Sequence, residues 1–106
     1  MQITLLNGYP DFMGRRMAFA GYGNGPSNYT AGADDPITVP GYERYIDSVA
    51  GGVISTDGTT VAMAHPSGYG PRQTWNLQYY VASSMAQASG DLSGKVFQIG
   101  GFFGNY

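Results

Sequence analysis

The stretch VISTDGTTVAM, residues 53–63, sets Asp57-Gly58 between two β-branched runs, and that pairing limits the fold more than any other feature of the chain. Asp-Gly is favoured in two-residue hairpin turns, where both central residues take positive φ. Such a turn fixes a register: Thr56 faces Thr59, Ser55 faces Thr60 and Ile54 faces Val61. Ile54, Val61 and Met63 then share one side, and Val53, Ala62 and Ala64 the other. Neither side carries a charge, which predicts a hairpin covered on both faces. A lone hairpin is marginal in water, so the rest of the chain has to supply more strands.

Several segments qualify. QITLL (2–6) is short and alternating. FMGRRMAFA (12–20) sets Met13, Arg15, Met17 and Phe19 on one side. TWNLQYYVA (74–82) alternates Trp75, Leu77, Tyr79 and Val81 against Asn76, Gln78 and Tyr80; Leu77, Tyr80, Val81 and Ser84 also fit a helical stripe, but the aromatic and β-branched content favours a strand. SSMAQAS (83–89) is read as a helical turn beyond it. KVFQI (95–99) pairs Phe97 with Ile99.

GYERYIDSVAGG (41–52) reads as a short helix. Tyr42, Tyr45, Ile46 and Val49 recur at helical spacing, Glu43, Arg44 and Asp47 lie opposite, and Gly51 is placed to end it. GYGNGPSNYTAGADDP (21–36) and HPSGYGPR (65–72) read as loops from their Gly, Pro, Asn and Ser content. The first is long enough that it should be either functional or disordered. The fold expected is one mainly β domain over residues 1–106, a small antiparallel β-sandwich or barrel with one or two short helices and long Gly-rich loops. An open sheet whose unpaired edge recruits another chain is the other architecture to weigh.

Charge narrows the function. Only 11% of residues are charged and the formal net charge is −2, against roughly 25% charged in an average soluble domain. Residues 17–33, 73–90 and 96–106 carry no charge; they are rich in Gly, Ser, Asn, Gln and Tyr, the makeup of contact surfaces. So few charges leave little repulsion between copies, and association is expected. Nucleic-acid binding would need basic groups to neutralise phosphate, and only Arg15-Arg16 are adjacent. The N-terminus lacks the basic region of a secretory signal and no apolar run is long enough to span a bilayer as a helix. With no cysteine, disulfides and thiolate metal sites are excluded.

No cofactor signature emerges. GYGNGP (21–26) has Pro26 where a dinucleotide loop has its third glycine, and no lysine for a phosphate loop. Asp34-Asp35 lacks the repeated carboxylates of a calcium loop and reads as a solvated turn. His65, the sole histidine, has Ser67 and several acids in the chain but no spacing that selects a partner; it reads as a structural or exposed loop residue.

The last segment, FQIGGFFGNY (97–106), is uncharged and aromatic. Ring burial alone does not offset the cost of ordering ten residues, so pairing along Phe97–Ile99 is needed as well. Phe102 and Phe103 are adjacent, and in a strand they point opposite ways. One ring enters the core and the other faces a neighbour, unless Gly100-Gly101 bends both inward. Residues 97–106 are therefore read as a contact arm, with Phe102, Phe103 and Tyr106 as interface residues.

Together these features predict a non-enzymatic structural protein of a large symmetric assembly, with a bacteriophage virion component (a capsid decoration or cement protein, or a small tail protein) as the most economical case. Its partners would be copies of itself and another structural protein such as a major capsid or tail protein, with no nucleic acid, membrane or cofactor, and it would be assembled in the host cytoplasm. The alternative is a carbohydrate-binding β domain stacking sugars on Trp75, Tyr79 or Tyr80. A small enzyme ranks last.

Overall fold

The computed structural model describes residues 1–13, 16–41, 46–67 and 74–104. Nine strands run in chain order: β1 (Thr4–Leu5), β2 (Asp11–Met13), β3 (Arg16–Asn24), β4 (Asp35–Pro36), β5 (Ile46–Val49), β6 (Gly52–Ile54), β7 (Thr60–Ser67), β8 (Thr74–Val81) and β9 (Val96–Phe103). They form two antiparallel sheets in a sandwich-like arrangement, and no helix occurs among the described residues. One sheet has the order β1-β3-β9-β5, with β2 also on β3; the other has β4-β8-β7-β6.

Alternation along the long strands builds the core between them. β3 turns Met17 and Phe19 inward and β9 turns Phe97, Ile99 and Phe103, while Ala62, Leu77 and Tyr79 come from the second sheet. A ring contact ties the layers, with Tyr79 5.5 Å from Phe97, and within the first sheet Phe19 lies 5.0 Å from Phe103, centroid to centroid. Tyr29 meets Tyr79 edge-on at 4.9 Å, which anchors the long connection after β3.

The sheet sides are stitched by backbone hydrogen bonds. β5 runs on through Ala50, whose N–H still bonds Gly100 on β9, to Gly51, whose carbonyl bonds Ala64 on β7; one continuous stretch changes sheets. On the other side Ile37 N–H bonds Trp75 of β8, while Thr38 exchanges bonds with Met1 and Ile3 in a parallel bridge. These bonds cover part of each side: the Ile37–Thr38 stretch lies along β8 and the N-terminal segment, and the Ala50–Gly51 stretch bridges β9 and β7.

Several expectations change. The stretch read as helix over 41–52 is strand at Ile46–Val49 and again at Gly52–Ile54, with residues 42–45 outside those described. Pairing with β9 overrides the local periodicity, and a bulge between Ile46 and Ser48 shifts the register. The single strand read over 12–20 is two, β2 and β3, which pair with each other. The first predicted loop begins late, because β3 continues through Gly21 and Gly23. Both face inward, and a Cβ on Gly21 would lie 2.4 Å from the Thr4 carbonyl oxygen. These glycines make room for the N-terminal segment; they do not form a turn. Residues 83–89 form no helix: a single turn closes where Met85 N–H bonds the Val81 carbonyl, then Met85 takes φ 56° and the chain doubles back, Ala88 N–H bonding Tyr79. His65–Ser67 belong to β7, and the rest of the second predicted loop lies outside the described residues.

The hairpin keeps its register, Ile54 opposite Val61 and Val53 opposite Ala62, but its turn differs. Gly58 N–H bonds the Ser55 carbonyl, Gly58 alone takes positive φ (77°), and Ser55 and Thr60 close a longer loop. Asp57 explains the preference. Its Oδ1 accepts from Ser55 Oγ, Thr59 N–H and Thr59 Oγ1, and its Oδ2 accepts from Lys95. Nor is the hairpin covered on both faces: Ile54 is 55% exposed, since the second sheet packs on the first by one side only.

Candidate functional site

The residues singled out from the sequence separate cleanly. Phe103 lies in the core, 1% exposed, while Phe102 faces outward, half-buried, with the Arg16 guanidinium 5.1 Å from its ring centre and Arg16 paired in turn with Asp47. The alternation expected of a strand is therefore kept through Gly100-Gly101. The reading of 97–106 as an arm is corrected for residues up to Phe103: β9 is a central strand, with β3 on one edge and β5 on the other. Tyr106 falls outside the described residues.

Trp75 and Tyr79 also turn inward. Trp75 packs against the core and its Nε1–H donates to the Ile46 carbonyl at 2.9 Å. Tyr79 is 1% exposed and its hydroxyl donates to Asp35 Oδ2 at 2.5 Å. Burial, reinforced by the Asp35 carboxylate, raises that phenol far above its ordinary range. The Tyr79 ring is closed to a sugar, which corrects one of the three proposed platforms, while Trp75 is partly buried with its indole N–H engaged. Tyr80 points outward from the second sheet, with its hydroxyl 3.2 Å from Gln78 Oε1.

The two adjacent aspartates diverge. Asp35 turns in to Tyr79 and to the Met1 ammonium, 2.6 Å away, whereas Asp34 turns out. Asp34 Oδ1 takes hydrogen bonds from Gln78 Nε2 and His65 Nε2, each at 3.0 Å. Gln78 first, and His65 after it, hold the Asp34 carboxyl below its ordinary value. No hydrogen bond joins His65 to Ser67. Among the described residues no cluster of three or more His, Asp or Glu side chains is placed to hold a metal.

Two surface features were not foreseen. The segment from the end of β1 through β2 carries Leu6, Tyr9 and Phe12 at 59%, 61% and 78% exposure, beside an open groove of about 290 Å³ lined by Gln2, Ile3, Thr4, Leu5, Gly8 and Pro40. Tyr22, opposite Thr4 on β3, is also exposed. The other feature is the outer face of the second sheet, where Asp34, His65, Gln78 and Tyr80 form one chain of hydrogen bonds. The polar set of the β8 alternation already contained Gln78 and Tyr80; assigning that set to solvent would have found them. Nothing in the local pattern of residues 6–12 separates exposed from buried apolar side chains.

No family model, curated protein or solved structure matches this chain.

Proposed function

We propose that the protein is a non-enzymatic structural subunit that works by packing against neighbours in a large symmetric assembly. The observation that carries this reading is the β1–β2 flank, where three large apolar side chains stand mostly in water within seven residues of chain. A scattered exposed leucine is ordinary, whereas Leu6 beside the outward Ala20 and Phe12 opposite the inward Met17 expose apolar side chains on both faces of one sheet flank, which suits a flank held between neighbours. Low charge supports the same reading, since a subunit covered by neighbours needs little charge of its own.

The partners follow from this chemistry: repeated copies of the chain, and a second structural protein offering an apolar ridge to the groove. A bacteriophage virion, with this chain as a decoration, cement or small tail protein, is the most economical such assembly. Phe102, half-exposed under Arg16 on the outer face of the first sheet, is a second contact point.

The test is mass spectrometry of purified particles from the source together with sedimentation of the free protein. A fixed stoichiometric copy number in a particle supports the reading. A protein recovered only as a cytosolic monomer removes it.

A further inference from the structure

The outer face of the second sheet is divided. On one side lie Ile54, Val61 and Met63; on the other, across the Met63–Gln78 cross-strand pair, lie Asp34, His65, Gln78 and Tyr80. The polar half is pre-oriented. Gln78 Nε2 donates to Asp34 Oδ1 and, at 3.3 Å, to the Gly32 carbonyl; its Oε1 takes the Tyr80 hydroxyl; His65 is held by Asp34. Gln87 pairs opposite Tyr80 and brings a second amide beside Gly32.

The network leaves hydrogen-bonding capacity unused. Asp34 Oδ2 and His65 Nδ1 have no partner among the described residues, and both side chains are about half exposed, Asp34 at 51% and His65 at 42%. A fixed carboxylate, imidazole and two amides thus adjoin a tyrosine ring and an apolar strip. That combination matches a ligand with a C–H face and a rim of hydroxyl groups.

We infer that this face is a binding site for a neutral pyranose, the sugar ring lying on Tyr80 and Met63 and its hydroxyls reaching Asp34, His65 and the glutamine amides. The inference does not rest on the assembly reading, because the β1–β2 flank belongs to the other sheet. The Asp34 carboxylate also sets specificity: it accepts from hydroxyls and repels acidic sugars. The site differs from the stacking surface expected from the sequence, keeping only Tyr80 of the three rings.

The experiment is a titration of the isotope-labelled full chain by NMR with methyl glycosides of glucose, galactose, mannose and N-acetylglucosamine, and with glucuronate as the acidic control. At least one neutral glycoside should give saturable shifts at Asp34, His65, Gln78 and Tyr80, and glucuronate should give none. Asp34→Ala and Tyr80→Ala should each weaken binding about tenfold, Tyr80→Phe much less, with thermal melts confirming that each variant folds. Absence of shifts with every neutral glycoside, equal binding of glucuronate, or unchanged affinity in both alanine variants overturns the assignment. Loss of amide exposure on this face only when the protein self-associates, with no response to glycosides, also overturns it and makes the face a protein contact.

Discussion

Glycine serves opposite purposes at the two ends of this fold. At the β6–β7 hairpin, Gly58 is needed for its backbone: φ is 77° and a Cβ there would meet nothing within 4 Å. In the first sheet, Gly101 is needed for its emptiness. A Cβ on it would lie 2.1 Å from the Ser48 carbonyl oxygen and 3.0 Å from the Phe19 ring, which spreads over the bare backbone from the facing strand. The hairpin is written in a few adjacent residues, whereas the first sheet depends on residues brought from opposite ends of the chain. Substitutions and pH should therefore act on the two regions differently.

The largest effect is expected at the crowded glycine. Gly101→Ala pushes a methyl group into backbone at the β5 bulge, where no side chain can swing away, and should destabilise by about 3 kcal/mol or more. A small domain has only about 5–15 kcal/mol in total, so urea unfolding should register a severe loss. A shift below 1 kcal/mol would mean that β5 does not pack on β9 as described.

Raising the pH should act next, and on the core. Tyr79 and Tyr29 are both raised above the ordinary tyrosine value of 10.0, each chiefly by burial. Below pH 10 both are neutral whether folded or unfolded, and stability is unaffected. Above it the unfolded chain ionises first, so stability falls as pH rises, by about 1.4 kcal/mol per pH unit for Tyr79 until the folded-state value is passed, with Tyr29 adding in the same direction. Thermal melts between pH 9 and 12, compared with Tyr79→Phe, check the slope.

Gly58→Ala should cost only about 1 kcal/mol, a conformational penalty without a clash. D-alanine at that position should relieve the penalty, and the comparison separates backbone strain from crowding.

Acid should have the smallest effect and should act on the hairpin. Lys95 first, with Ser55 and Thr59, holds the Asp57 carboxyl well below its ordinary 3.8. Its contribution is therefore complete above about pH 4 and is lost as pH falls toward the folded-state value. Amide protection factors at Ser55–Thr60, normalised to intrinsic exchange, should fall in acid before those of the β3–β9 pair.

The same contrast explains which parts could be read without a structure. The β6–β7 register, the strand character of 74–82 and the opposite facing of Phe102 and Phe103 all follow from period-two alternation and one turn signal. Residues 46–49 misled because Ile46 and Val49 fit a helical spacing as well as a strand, and only pairing with β9 decides between them. Gly21 and Gly23 misled because a glycine that makes room for a distant segment looks, locally, like a glycine that turns the chain. Tyr79 qualifies as a sugar platform by residue type, while its place in the alternation with Leu77 sends it inward. The β1–β2 flank gave no local sign, since whether Phe12 is covered depends on how far the second sheet extends.

That flank is where the functional account is most exposed to test. Sedimentation velocity over a wide concentration range, on the wild-type chain and on Leu6→Ser/Phe12→Ser, asks whether these side chains are bare because a neighbour covers them. The prediction is a sedimentation coefficient that rises with concentration for the wild type and stays at the monomer value for the variant, with unchanged melting temperature. A wild type that remains monomeric throughout, or a variant that associates equally well, would contradict it.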